Sequence, residues 1–589
     1  VWVGEGTESA WLSPNSGFRA FFLDRIRKLA RLPIDALWID VPLYHETGSE
    51  WADASKPAVQ AYRSWASARR IADASLPGAV DPADQRFLDW VRFRHENLAA
   101  YVADIQRAAR AVKPSLFSIG EVYPMDYMDA MTTGLDATFL AHLPGLAFAW
   151  EIDAVSNRDG MKYASIRDMH SQIAMLKWGA AVGRGWPGVG FSYGKRETDA
   201  ALVMGAVLAS GLAPLECRIP DMTASVGSAF RARSYSFLAD HAQELTGERE
   251  AKVGVWYSSS TRDRFDFEEG GYYGKYVELE PVIEDPQWWA EHPDDSPLKK
   301  PHLGGWRAAA HYLLGEKIPF RPLIERPEGA GPDSFGGLEW IWLPSVRALS
   351  ESDAERLRRF VEEGGRILAA GHEPGTHDRY GRPREEALLA DLFPAWNAHD
   401  RATHAGNGFA LARPGVTPEA LFDTGARGDS IRDALSMNVM PHVDPVVRVE
   451  QNRVYLEIIR QVEGENRQSV ALVDLIGVQR PVAPPDRLLD VHFRPPAGAR
   501  RITAHVSGPG RPDRRIPIER GGTARIRDEF VSLSVRATPF AFVTFRWETA
   551  ASDPPVLSSR RGEVPSWLAE PIESAMTFVK ESMRNASLP

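Results

Sequence analysis

Over its first 245 or so residues the chain alternates short apolar runs with longer amphipathic stretches, and this restricts the possible fold more than any other feature. VWVGEG (1–6), DALWIDVPLYH (35–45), SLFSIGEVYP (115–124), GLDATFLAHLPG (134–145), PGVGFSYG (187–194) and GLAPLECRI (211–219) read as strands. FRAFFLDRIRKLARL (18–32) and FLDWVRFRHENLAAYVADIQRAARAV (87–112) repeat apolar residues at helical spacing. Further helical stretches fall near 165–183, 197–210 and 227–246. Strands alternating with helices build parallel β/α units. A closed barrel of such units has eight strands, and about six are legible here. Residues 1–248 are therefore expected to form a (β/α)8-type barrel lacking its first two β/α units in this chain. An open parallel sheet is the alternative.

The pattern changes twice more. Residues 249–400 read as a flavodoxin-like α/β domain. In it GLEWIWLPSVRALSESDAERLRRFVEEGGRILAAG (337–371) runs strand, capped helix, glycine stop, strand. Residues 401–442 read as a linker region. From 443 to 548 alternating strands such as RVYLEIIRQV and FVSLSVRATPFAFVTFRW predict an antiparallel β-sandwich. Residues 549–589 read as a linker followed by a terminal amphipathic helix.

Composition excludes several function classes. Net charge is −10, with no basic stripe, which argues against a grip on nucleic-acid phosphates. No run of about 18 apolar residues is present, so no membrane span is expected. The single cysteine, Cys217, allows neither an intrachain disulfide nor a cysteine metal site. The first residues lack the basic and apolar regions of a signal peptide and read as the inside of a fold. A soluble protein is expected, its compartment left open.

The chemistry is read from carboxylates at strand ends. Active sites of β/α barrels sit at the carboxyl ends of the strands. Asp40 ends DALWID and Glu121 ends LFSIGE, on strands expected to be neighbours. Adjacent strands lie about 4.8 Å apart, and two carboxyl groups about 5 Å apart make a retaining glycosidase pair. Asp40 is assigned as nucleophile and Glu121 as acid/base. The swapped roles and an inverting pair stay open. Between them lie 81 positions, where a plain β/α unit needs about 30 residues. The excess, 46–81, is expected to be a binding loop. Candidate substrate-binding residues are Tyr44, His45, Trp51, Arg94, Tyr123, His142, Tyr193, Lys195 and Glu197, with Trp65 beside Trp51 as a sugar-stacking candidate and Glu216 near the last strand's end. The motif HEPGTHDRYG (372–381) does not have helical metal-ligand spacing, and no GxGxxG is present, so neither metal nor cofactor is expected.

The three-domain order resembles that of the family 42 β-galactosidases and their uncharacterised relatives. The stretches that carry the likeness are LSPNSGFRAFFLDRIRKLARLPIDALWIDVP, KVGVWYSSSTRD and GLEWIWLPSVRALSESDAERLRRFVEEGGRILAAG. The resemblance implies a sugar-cleaving barrel, an oligo- or polysaccharide substrate and a homo-oligomer, dimer or trimer, built through the middle domain. The family's pattern is an Asn-Glu pair after the fourth strand and a Glu after the seventh. Here Ile39–Asp40 and FSYG stand in those places. The Asp40 and Glu121 pair, with GEVYP, resembles instead the α-amylase-type and poly-galactosaminidase-type barrels, which implies an α-linked substrate. The middle domain is also similar to class I glutamine amidotransferases, but WLPSV carries Ser345 where those have a nucleophilic cysteine.

Overall fold

The computed structural model describes residues 12–40, 42–44, 53–122, 130–141, 143, 145–150, 166–183, 188–192, 197–216, 225–245, 247–270, 300–327, 332–394, 396, 401–422, 425–438, 443, 445–460, 466–478, 487–518, 525–527, 530–537 and 539–549. The strand expected at 1–6 and the helix expected at 564–583 lie outside them.

Five strands form the first sheet: β1 (Ala36–Ile39), β2 (Phe117–Val122), β3 (Leu146–Trp150), β4 (Gly188–Ser192) and β5 (Ala213–Glu216). They lie in chain order and every pairing is parallel. Among the described residues β1 and β5 are the sheet's edges, so no closed barrel is seen. One expected strand is corrected. Among the described residues of 134–145 no strand forms; they hold the short helix Ala137–Leu140, whose first turn is capped when the Asp136 carboxylate accepts from Thr138 N at 2.8 Å. The strand starts only after Gly145, which turns the chain at φ +80°.

Helices cover one face of this sheet. α1 (Gly17–Leu29) starts at Ser16, whose side chain accepts from Phe18 N. α2 (Lys56–Ala68) starts at Ser55 with proline in its first turn. α3 (Gln85–Arg110) is capped by Asp84 and ends on Arg107 and Arg110, which suit a helix C-terminus. Leu37 packs among Ile26, Ile105, Ala108 and Leu116 from α1, α3 and the loop after α3. On β3, Trp150 meets Trp178 of the Ile166–Val182 helix edge-on, with ring centroids 5.4 Å apart. Side chains alternate along a strand. Trp38, Ile119, Glu121, Ala147 and Ala149 therefore share the opposite face.

The middle domain is a six-stranded sheet: β7 (Val253–Tyr257), β8 (Phe320–Ile324), β9 (Trp340–Pro344), β10 (Arg366–Ala370), β11 (Arg401–Ala405) and β12 (Gly408–Arg413). β6 (Glu248–Glu250) precedes it and belongs elsewhere. Its parallel strands run β8-β7-β9-β10-β12, the 2-1-3-4-5 order of flavodoxin-type sheets, with β11 antiparallel at the edge. The expected linker 401–442 is therefore corrected. It supplies two strands of this sheet, followed by the helices Pro418–Phe422 and Ala426–Asn438. Its polar, glycine-containing β11–β12 turn hid a strand pair of which only β12, beside the parallel sheet, is largely buried.

The last domain is a sandwich. β13 (Val447–Val449), β16 (Leu488–Phe493), β20 (Phe530–Arg536) and β19 (Arg525–Arg527) form one sheet. β18 (Arg514–Pro517), β17 (Ala499–Ser507), β21 (Phe540–Thr549), β15 (Arg467–Asp474), β14 (Val454–Arg460) and β6 form the other. β6 pairs antiparallel with β14, so the boundary expected at 248 falls inside a sandwich strand.

Three joints fuse the domains. One hydrophobic core runs through all three, from Phe148 and Trp178 through Trp306 and Trp342 to Tyr455 and Phe540. The second joint is an ion pair, Lys177 with Glu457, between the Ile166–Val182 helix and β14; both side chains are buried. Burial pushes Lys177 down and Glu457 up, each opposed by the partner's charge. Third, Arg262, just past β7, reaches into the first domain. Its guanidinium donates to Asp136 Oδ2 at 2.9 Å, Asp263 Oδ1 at 2.5 Å and the Tyr257 hydroxyl at 2.7 Å.

Removing one partner of a buried pair leaves the other charge uncompensated, at a cost of roughly 3–5 kcal/mol. Lys177→Met should therefore lower the urea midpoint sharply, and adding Glu457→Leu should recover most of the loss. Asp263 predicts a pH dependence. Burial would raise its carboxyl, but the Arg262 guanidinium and His95 outweigh that and hold it down to about 2. Its unfolded value is about 3.9. A depressed folded pKa contributes stability that is present above about pH 4 and lost as pH falls toward 2. In Asp263→Asn the acid-side fall in unfolding midpoint should be shallower, by on the order of 2 kcal/mol across that window.

Candidate active site

The two proposed carboxylates follow directly on the last residues paired between β1 and β2. β1 pairs with β2 as Ala36↔Phe117, Leu37↔Ser118, Trp38↔Ile119 and Ile39↔Gly120. The next residues in line are Asp40 and Glu121. Glu121 stands near the carboxyl end of β2, and Asp40 directly follows the end of the adjacent parallel strand β1. Asp40 is exposed and Glu121 half-buried. Glu121 is held by a residue that strand-end reasoning passed over: Trp38 Nε1 donates to Glu121 Oε2 at 2.6 Å. The signal was present in the sequence, since Trp38 lies two residues before Asp40.

Other expected site residues are engaged in packing. Tyr44 is buried and its hydroxyl accepts from Asn97 Nδ2 at 2.8 Å; burial pushes it up to about 12. Arg94, 1% exposed, lies over the Tyr44 ring at 5.0 Å and donates to Met131 O at 2.9 Å. Gly134 closes this shell. It sits at φ +70°, and a Cβ there would stand 2.5 Å from the Tyr44 ring. His95, on the same helix as Arg94, donates Nδ1–H to Gly134 O at 3.0 Å and faces Asp263 at 3.3 Å. In the excursion after β1, Trp65 donates to Glu96 Oε2 at 2.8 Å and stacks on Tyr62, so it anchors α2 on α3. Glu197 opens the Glu197–Ser210 helix and Glu216 ends β5. His45, Trp51, Tyr123, His142, Tyr193 and Lys195 lie outside the described residues. The strand expected to end at His142 is absent: a short helix precedes that position and β3 follows it.

The middle domain closes its own crevice. Doubly wound sheets bind ligands at the carboxyl ends of their strands. Here the buried Ser258–Thr261 turn after β7 is filled from within by Glu325, which accepts from Ser258 Oγ at 2.8 Å, Ser260 Oγ at 2.6 Å and Ser260 N at 3.1 Å. Two cavities among the described residues, of about 610 and 500 Å3, lie at the junction of the three domains and at the amino ends of β9 and β10. Neither is lined by Asp40 or Glu121. Among the described residues no group of three or more His, Cys, Asp and Glu could hold a metal ion, and no helix is long and apolar enough to cross a membrane.

No family model and no curated protein sequence matches this chain. Solved structures do. The fold is similar to that of family 42 β-galactosidases: Gan42B, a GH42 β-galactosidase from G. stearothermophilus, superposes with a TM-score of 0.59 at 12% identity, covering 92% of this chain and 84% of its own. The β-galactosidase of Bacillus circulans sp. alkalophilus gives 0.57 at 12% identity, covering 92% and 85%. A β-galactosidase of the Antarctic haloarchaeon Halorubrum lacusprofundi gives 0.56 at 14%, covering 92% and 85%. At such identities the likeness is one of fold.

The packing of Arg94 makes a prediction. Arg94→Met leaves the buried Met131 carbonyl without its donor, which costs roughly 1–3 kcal/mol. The thermal midpoint should fall, and this loss should be seen with or without saccharide present.

Proposed function

We propose that the chain is a glycoside hydrolase whose catalytic pair is Asp40 and Glu121. The observation that supports this reading is the parallel pairing of β1 with β2, whose last pair, Ile39↔Gly120, immediately precedes the two carboxylates in each segment. Their strands are neighbours, and a strand spacing of about 4.8 Å suits a pair that works by nucleophilic attack and proton donation. Asp40, the shorter and exposed group, attacks the anomeric carbon. Glu121, half-buried and held by Trp38, protonates the leaving oxygen and then activates the water that releases the product. The family 42 architecture supports a saccharide substrate.

Linkage is read from the neighbours. The solved structures of this architecture named above are titled β-galactosidases, and nothing among them supports the α-linked preference raised by the GEVYP segment. β-Galactosides are therefore the first substrates of this proposal. A homo-oligomer formed through the middle domain belongs to the same reading, and light scattering in solution would report it.

The test is a panel of nitrophenyl β- and α-glycosides and oligosaccharides, with product anomers followed by NMR. Hydrolysis is expected to fall by at least about a thousandfold, on the scale of losing a nucleophile or an acid/base, in both Asp40→Asn and Glu121→Gln. Azide should rescue Asp40→Gly with inversion if Asp40 is the nucleophile. Wild-type rates in both carboxylate variants would move the site elsewhere. Saccharide binding without turnover in the wild type would make the protein a non-catalytic carbohydrate-binding scaffold.

A further inference from the structure

We infer that Trp38 is the positioning residue for Glu121: its indole N–H holds Oε2 and so commits Oε1 as the oxygen that carries and delivers the proton. The inference rests on the reading of Glu121 as the acid/base, and concerns how that carboxyl group is oriented.

Three observations carry it. The contact is short and directed, with Trp38 Nε1 2.6 Å from Glu121 Oε2. The two residues sit on adjacent strands, with Trp38 level with Ile119 in register, two positions before Glu121 and on the same face as it. Trp38 is also 44% exposed. A tryptophan held only by packing would be buried, as Trp150, Trp256, Trp306 and Trp340 are. This one keeps much of its surface open on the face that carries Glu121.

The chemistry follows from what an indole can do. It is a donor only and cannot accept a proton. An oxygen that accepts from it is best served as the carbonyl-type oxygen of the protonated acid, because that oxygen is the better acceptor. The hydroxyl then falls on Oε1. When Glu121 loses its proton to a leaving group, the same N–H meets a full carboxylate, and the hydrogen bond becomes a charge-assisted one. Trp38 therefore favours the ionised form. It keeps the resting acid strong enough to donate, and it stops the carboxyl from turning its proton away from the substrate. No atom of Trp38 bonds to substrate in this role.

Trp38→Phe separates the N–H from the ring. The measurement is a pH titration of the Glu121 carboxyl by 13C NMR in the full chain labelled at glutamate, its resonance assigned by its loss in Glu121→Gln. The midpoint is expected to rise by about one pH unit in Trp38→Phe, the scale of one hydrogen bond to a charged group. The wild type supplies an independent arm, since the Trp38 indole resonance should shift with the Glu121 titration and stop shifting in Glu121→Gln. If turnover is found, the basic limb of kcat/KM should move up by the same amount in Trp38→Phe. kcat should fall for alkyl leaving groups, which need protonation, more than for nitrophenyl ones. An unchanged Glu121 midpoint in Trp38→Phe, or an indole resonance that ignores Glu121, overturns the inference. Neither NMR arm needs turnover. A chain that hydrolyses no glycoside but shows both titration effects rejects the hydrolase reading and leaves the Trp38–Glu121 coupling standing.

Discussion

Arg262 is the interaction on which the arrangement of the first two domains depends. A guanidinium cannot shed its proton, so a buried one has to be surrounded by anions and acceptors. Those acceptors come from both sides of the joint: Asp136 from the first domain, Asp263 and Tyr257 from the middle one. Asp263 in turn faces His95 on α3, and Thr138 lies 3.2 Å from Ser259 across the same seam. α3 is thereby pinned at its middle. The same helix packs on Leu37 of β1 through Ile105 and Ala108 and bonds to Ser118 of β2 through Gln106, so the joint also braces these two strands.

The middle domain then has a structural part to play. Its ligand crevice is occupied by its own Glu325, and its arginines reach outward. Arg326 donates to Val182 O at 3.0 Å and Ala181 O at 2.8 Å, satisfying the last carbonyls of the Ile166–Val182 helix while it is paired with Asp333. The sandwich does the equivalent from the other side, where Glu457 meets Lys177 and the Tyr455 hydroxyl lies 2.9 Å from Ser210 Oγ. The sheet of the first domain is thus braced from two directions.

Much of this was legible in the chain. The long helix at 87–112 and the capped helix after Ser350 were readable because periodicity and capping are local. The strand set at Asp40 and Glu121 was readable because a short apolar run ending in an acid is rare enough to notice. The third strand was misplaced because FLAHL is apolar in either conformation. A cap at Asp136 and a positive φ at Gly145 decided it, and both act only once the chain is folded around them. Tyr44 looked like a site residue because it lies four positions after Asp40, and Arg94 because a long cation early in a helix could reach the acids. They meet each other instead, because Arg94 lies on the buried side of α3 and the Tyr44 ring packs against it.

Sequence alone determined the kind of architecture: β/α units, a doubly wound domain and a sandwich, in that order. Alternation and periodicity are properties of the covalent chain, and they dictate which residues must be covered. The tertiary structure decided which strands are neighbours, which residues of 401–442 belong to the middle sheet, and that β6 crosses into the sandwich. Those are choices among distant partners of similar local preference. The Trp38–Glu121 contact is of the same kind. It spans 83 positions of sequence and exists only because two parallel strands meet in one particular register.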